Sequence, residues 1–333
     1  MGSQPPTRPR ILCVGMLTLD VVHELERMPG PNEKVAGLSQ TLTFGGPAAN
    51  AAATGAALGA DVELVAGFGR SAFTAVVGEQ LDRTRVRWHD PAASVAGPSP
   101  LSSILLTRGT GDRAVVGGAA PSLPDHATVP DGLVESAHVV LLDGHAMPLA
   151  RQAARRARGA GIPVLLDAGS YKPGTEDLLA NVGLTILSAD FAAPGHDDPL
   201  AWVRQQGCRR AARSAGAGPM LLSEDASTHS IAVPHVEVVD TLGAGDVLHG
   251  AAAYAVACRG LADVPAVLRF AVDLASLSCR YAGALGWATD DAARTIAHDL
   301  STAFVHRSVD NLGYGPVATG RAGSLHQADQ EPG

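Results

Sequence analysis

Short apolar runs alternate with longer amphipathic stretches along this chain, and that rhythm sets the expected fold class. Residues 11–15 form an apolar run closed by Gly15, as a buried strand requires. Residues 139–142, 163–166, 184–187 and 219–222 are similar runs bounded by polar residues or glycine, and each predicts a strand. Residues 147–159 and 200–206 lie between them with helical character. This alternation predicts βαβ units and a parallel sheet. Two stretches break it: residues 34–44 and 101–117 read as strands with mixed faces and no intervening helix. An alanine-rich helix is expected from Pro47 to about residue 58, with Pro47 in the first turn, where its missing N–H is no loss. Later, a glycine-containing corner leads into a small-residue run through residue 257, which predicts a buried helix with Asp246 near its start.

Composition agrees with one large core and a small appendage, since 333 residues at 46% hydrophobic content bury a sizeable interior. A net charge of -8 and the lack of a long Lys/Arg run argue against nucleic-acid and anionic-membrane partners. Arg151, Arg155, Arg156 and Arg158 share one predicted helix and read as its solvated face. Cysteines 13, 208, 258 and 279 show no CxxC spacing, and three sit in apolar segments that read as core, so a reducing, cytoplasmic compartment is expected. Residues 1–10 are proline-rich and polar, without the apolar stretch of a signal peptide, and are expected to be flexible. Residues 307–333 turn glycine-rich and polar, predicting a mobile tail. Alanine-rich helix candidates such as residues 250–257 are too short to span a bilayer.

The chemistry concentrates in the corner Asp240-Thr241-Leu242-Gly243-Ala244-Gly245-Asp246. A helix N-terminus offers amide N–H groups without intrahelical acceptors, and Gly243, Ala244 and Gly245 carry no large side chain to keep an anion away. Asp246 repels phosphate, so its presence points to a second substrate whose hydroxyl proton must be removed: phosphoryl transfer to an alcohol. Taken alone, the segment reads equally as a capped helix after a glycine turn. Asp20, just past the first strand, accepts two sugar hydroxyls or is a solvated turn residue. Gly45 and Gly46 let a ligand approach the backbone or form a simple bend, and Asn50 offers both a donor and an acceptor.

In order and spacing, the early Asp20, the Gly45-Gly46-Pro47-Ala48-Ala49-Asn50 helix start and the late DTxGAGD resemble the ribokinase-like, or PfkB, family of carbohydrate kinases over residues 11–287. ILCVGMLTLDVV, GGPAANAA and GAGDVLHGAAA followed by RFAVDLASLSCRYAGA look closest to its ketohexokinase and sulfofructose kinase branches. The resemblance implies an α/β, ribokinase-like three-layer fold over residues 11–306, with a mostly parallel central sheet. It also implies a small inserted β-sheet lid from about residues 17–44 and 97–120. The implied reaction moves the γ-phosphoryl group of ATP to a primary hydroxyl of a sugar, polyol or sugar-like molecule, with magnesium and potassium as further cofactors and a homodimer formed through the lid. Asp246 would be the general base and the Gly243, Ala244 and Gly245 amides the anion hole. Asp20, Gly45, Gly46, Asn50, His145 and Asp246 would bind the acceptor. Arg113, Ser188, Ser223, Glu224, Asp225, Ala226, Gly243, Gly245, Ala275 and Gly283 would bind the nucleotide. Asp240 would lie near a monovalent-cation site or cap the turn, and Asp190 would meet magnesium through water.

The chain departs from that pattern in three places. Ser223-Glu224-Asp225-Ala226 stands where many relatives have Thr-Leu-Gly and further glycines, and Ser188-Ala189-Asp190-Phe191 replaces an NxxE element. Pro47 removes a hydroxyl contact that ketohexokinase-like relatives make, which turns the expectation away from fructose. His145 and Lys172 follow two of the strands and would meet a hydroxyl or an anionic substituent, or serve as structural and surface residues. Two other readings stay open: a nucleoside kinase, which the 4% aromatic content disfavours, and a noncatalytic sugar- or nucleotide-binding protein on a kinase fold.

Overall fold

In the computed structural model, which describes residues 8–109, 112–118, 122–225 and 227–306, strands and helices follow the expected alternation. β1 (Arg10–Val14) explains why the strands read as apolar runs: Ile11 and Cys13 face one core, Leu12 and Val14 the other. A strand covered by helices on both faces has no polar side to alternate. The chain continues through β2 (Thr18–Leu25), β3 (Ser39–Gly45), α1 (Pro47–Ala57), β4 (Asp61–Val65), α2 (Thr74–Thr84) and β5 (Val86–His89). Next come β6 (Leu101–Thr107), β7 (Arg113–Gly117), α3 (Leu133–Ser136), β8 (Val139–Leu142), α4 (Met147–Gly159), β9 (Val164–Ala168) and α5 (Thr175–Leu179). β10 (Leu184–Leu187), α6 (Pro199–Gln205), β11 (Arg210–Ala215), β12 (Gly218–Glu224) and β13 (Ser227–Ile231) lead to the closing helices. These are α7 (Ala244–Arg259), α8 (Val264–Ser278), α9 (Gly286–Thr289) and α10 (Asp291–His306).

Nine strands form the central sheet in the order β13-β12-β11-β10-β9-β8-β1-β4-β5. It is parallel from β5 to β11; β12 pairs antiparallel with β11 and β13 antiparallel with β12, so β12 alone runs against the other strands. The α1, α7, α8 and α10 side chains fill one core with one face of the sheet, while those of α3 to α6 fill the other. α1 and α7 meet at backbone distance: a Cβ on Gly250 would stand 2.5 Å from the Ala51 carbonyl oxygen. β1 lies between β4, which follows it in the sheet, and β8, which the chain reaches only later. Strand order reverses there, and a crevice opens at the carboxyl ends of the strands.

The two stretches that broke the rhythm supply β3, β6 and β7 of a second sheet, β3-β2-β6-β7, in which β2 joins them. It is mixed: β2 runs antiparallel to β3 but parallel to β6. It grows from the carboxyl end of β1 through Gly15 and Leu17, and so sits over the crevice. Residues 34–38 precede the strand expected there, which starts at Ser39. Arg151 and Arg156, expected to be solvated, pair with Asp177 and Glu135. Cys13 and Cys208 are buried, Cys258 and Cys279 half-buried, and all four are free thiols. Among the described residues no helix is long and apolar enough to cross a membrane. The expected 307–333 tail, residues 1–7 of the N-terminal segment and Ala226 lie outside the described residues.

Candidate active site

The corner before α7 is built by glycine and by one carboxylate. Gly243 caps the helix at φ 76, and a Cβ there would lie 2.3 Å from that of Ala284, so only glycine both turns and fits. Asp240 closes the turn, its Oδ1 accepting from the Leu242 amide and its Oδ2 from the Gly283 amide, each at 2.8 Å. Of its two expected roles, capping is the one its hydrogen bonds carry out. The Ala244 amide donates to the Thr241 carbonyl at 3.3 Å and is thus partly engaged, whereas a Cβ on Gly245 would meet nothing within 4 Å. The open side of the α7 N-terminus is therefore at Gly245. Arg113, on β7, reaches across from the small sheet and donates from Nη1 to Thr241 Oγ1 at 3.0 Å. This sets a guanidinium beside the turn at the α7 N-terminus.

Asp246 occupies the third position of α7, where its half-buried carboxylate accepts from Asn50 Nδ2 at 2.7 Å. α1 and α7 thus bring Asn50 and Asp246 together from opposite ends of the chain. Burial, the nearby Asp167 charge and, more weakly, Asp143 push Asp246 up to about 7, against the lowering effect of Asn50 and His249. A carboxylate in this state takes a proton near neutral pH, as a general base must.

Asp20, beyond the end of β1 as expected, lies not in a turn but inside β2, paired with Thr43 of β3 and Ser102 of β6. Thr18 Oγ1 donates to its Oδ1 at 2.7 Å. Burial raises the proton affinity of Asp20, while hydrogen bonds from Thr18 and Ser102 oppose the rise. The two glycines next to it have packing duties of their own. A Cβ on Gly45 would stand 1.9 Å from Asp20 Oδ2, and one on Gly46, at φ 96, would stand 2.6 Å from the Met16 carbonyl oxygen.

Asp143, directly after β8, is the knot of the crevice. Its carboxylate accepts from the amides of Met16 at 2.7 Å, Ala48 at 3.2 Å and His145 at 2.9 Å, so it ties the β1 loop to the first turn of α1. A Cβ on Gly15 would lie 2.2 Å from it. Burial works to raise this carboxyl, but the His145 ring and the Met16 and His145 amides outweigh it and hold it below the ordinary value. The exposed His145 stands with Nδ1 3.4 Å from Asp143. The Lys172 stem passes within 3.6 Å of a Cβ position on Gly144, placing Lys172 at the same mouth.

The nucleotide-side expectations divide by sheet edge. Ser188 follows β10 at the carboxyl edge and donates to the Gly169 carbonyl at 2.8 Å, with exposed Asp190 beside it. Ala275 and Gly283 lie near the Asp240 corner: the Ala275 carbonyl accepts from Cys279, whose own carbonyl accepts from Val239 and Asp240. Ser223, Glu224 and Asp225 are a correction. β12 runs antiparallel, and its register sets Glu224 opposite Arg210, the first residue of β11, at the sheet edge remote from Asp143 and Asp246. Their charges are engaged there, Glu224 with Arg210 and Asp225 with Arg209, each at 2.7 Å. The strand that does point to the crevice is β11, which the sequence reading missed because Arg210 and Arg213 break its apolar run. Arg213 donates to the Ala189 carbonyl at 2.6 Å, and the Gly216 turn lies beyond it on that same edge. Asp167 and His249 were also missed; the one visible signal was a polar residue alone within an otherwise apolar run in each case.

Residues 8–290 match the family model described as pfkB family carbohydrate kinase. The ribokinase of Arabidopsis thaliana is 29% identical over 297 residues, covering 83% of this chain and 78% of that protein. The ribokinase of Bacillus subtilis is 27% identical over 288 residues, covering 83% and 95%. In fold, the chain is similar to the solved structure of Arabidopsis thaliana ribokinase complexed with ribose and ATP, with a TM-score of 0.70 at 24% identity over 88% of this chain and 98% of that one.

Proposed function

Because the chain belongs to the pfkB family of carbohydrate kinases, we propose that it transfers the γ-phosphoryl group of ATP to a primary hydroxyl of a sugar or sugar-like acceptor, with Asp246 as general base. The observation that carries this reading is the position of Asp246: raised to about 7, bonded to Asn50, and set in the first turn of the helix whose amides face the crevice. As the acceptor oxygen attacks in line, Asp246 takes its proton, and the N-terminal turn of α7 holds charge developing on the phosphoryl oxygens. Asp20 and Asn50 orient the acceptor between the two sheets. The Arg113–Thr241 contact supports closure of the small sheet over the nucleotide phosphates, which excludes water as a competing acceptor. The ribose and ATP of the Arabidopsis complex support the substrate classes.

Magnesium fits this donor set as part of the nucleotide. Asp143 and Asp240 already hold backbone amides, and among the described residues no three His, Cys, Asp or Glu side chains are grouped to hold a metal ion. When bound, the ion would supply positive charge that neutralises the phosphates, and Asp190 would meet it through water. Leu42 and Val116, in one cross-strand row with Val21 and Ser103, give one face of the small sheet exposed apolar side chains, which supports pairing of two copies through it.

The test is acceptor-dependent ADP release from magnesium and ATP across ketoses, aldoses, sulfonated sugars, cyclitols and nucleosides. The expected result is turnover with a sugar-class acceptor that Asp246→Asn abolishes. Turnover with nucleosides alone, or ATP binding without turnover on any acceptor, would overturn the proposal.

A further inference from the structure

α7 carries a second ionisable group one turn beyond Asp246. His249 is 6% exposed, and both of its ring nitrogens face oxygen. Nδ1 lies 2.7 Å from the Gly245 carbonyl and 3.3 Å from Asp167 Oδ2, and Nε2 lies 3.3 Å from the Ile186 carbonyl. Asp167, the penultimate residue of β9, is likewise buried. A carbonyl or carboxylate oxygen can only accept, and a neutral imidazole donates from one nitrogen while aiming a lone pair from the other. With both nitrogens protonated, Nδ1 donates to the Gly245 carbonyl and Nε2 to the Ile186 carbonyl, and the ring's charge faces the Asp167 carboxylate.

We propose that His249 is a positioning residue that carries both ring protons and, by pairing with Asp167, offsets that carboxylate's charge where it bears on Asp246. The inference rests on the reading of Asp246 as the base. The pair acts in two ways. The ring grips the Gly245 carbonyl, which orients the first turn of α7 and with it the amide at the open side of the anion corner. Its charge also opposes that of Asp167, which otherwise makes Asp246 harder to ionise. The remaining charges around the pair do not replace it. Asp143 adds to the negative field on Asp167 and Asp246, while Lys172 and His145 act on Asp167 from the mouth of the crevice. Buried ion pairs are costly to assemble, and this one is kept within one helical turn of the reacting group, where its charges bear on the chemistry.

The experiment compares the acid limb of kcat/KM in wild type, His249→Asn, Asp167→Asn and the double variant, each checked for native unfolding cooperativity. Removing the positive partner should move the limb to higher pH by about one unit, a tenfold loss at a fixed pH on the limb. Removing the negative partner should move it to lower pH by a similar amount, and the double variant should return close to wild type. Limbs that stay in place, or that move together in the same direction, overturn the proposal. Nitrogen-15 spectra of the wild-type histidine rings at pH 7 decide the protonation state without any variant: two protonated nitrogens in His249 are expected, and one refutes the pair. Asp246→Asn separates the two failures. Normal turnover in that variant would remove the base, whereas lost turnover with unshifted limbs in the pair variants would remove the pair alone.

Discussion

Asp246→Asn should cost activity and return stability, and the pH dependence of the second effect gives the sharper test. The carboxyl rises from 3.8 to about 7 on folding, which corresponds to a ceiling of about 4 kcal/mol held against the native state once pH exceeds 7. The folded protein binds this proton more tightly than the unfolded chain, so wild-type stability falls as pH climbs from about 4 to about 7 and is level above that. Asparagine has nothing to ionise, and its side-chain oxygen still accepts from Asn50 Nδ2, the bond now made at 2.7 Å. The variant's advantage over wild type should therefore grow by about 2–3 kcal/mol between pH 5 and pH 8, following the linkage slope of ~1.4 kcal/mol per pH unit below 7. Acceptor-dependent turnover should fall at least ~10²-fold over the same range. Urea unfolding at the two pH values, read as midpoints at equal slope, measures the first effect, and coupled ADP release measures the second. An advantage that does not change between pH 5 and pH 8 would refute the raised proton affinity. Undiminished turnover would refute the role as base.

Four other substitutions probe separate parts of the molecule. Asp20→Ala should raise KM for the acceptor by about tenfold or more while changing kcat much less, because the lost contact is made equally before and during transfer; a fall in kcat alone, measured by initial rates, would contradict this. Arg113→Ala should raise KM for ATP about tenfold through loss of a charge-assisted hydrogen bond, while Glu224→Gln, at the remote edge, should leave it within about twofold. The reverse order of effects would put the nucleotide at the other end of β12. Gly250→Ala should destabilise the fold by about 1–3 kcal/mol in urea titration despite the better helix propensity of alanine, since its Cβ would press on the Ala51 carbonyl at 2.5 Å and on Thr54 Cβ at 2.7 Å.

Much of the architecture was legible because its signals are local. Periodicity located β1, β8, β9 and β10, Pro47 marked the start of α1, and the glycines before α7 marked a corner with an acid at its third position. Each depends only on neighbouring residues, through side-chain alternation, a fixed proline φ or a left-handed glycine. The family resemblance came from the order of three such local motifs. What the sequence left undecided depends on direction and register, which long-range pairing sets. Nothing near Glu224 reveals that β12 turns back against β11, yet that reversal carries Ser223, Glu224 and Asp225 to the wrong edge. Nothing near Asp20 reveals a parallel partner in β6, which places it inside a sheet. The same holds for Asp143, Asp167 and His249, which lie in three separate segments. Only the convergence of β8, β9 and α7 at one end of the sheet makes them neighbours, and only in that shared low-dielectric space do their charges act on Asp246.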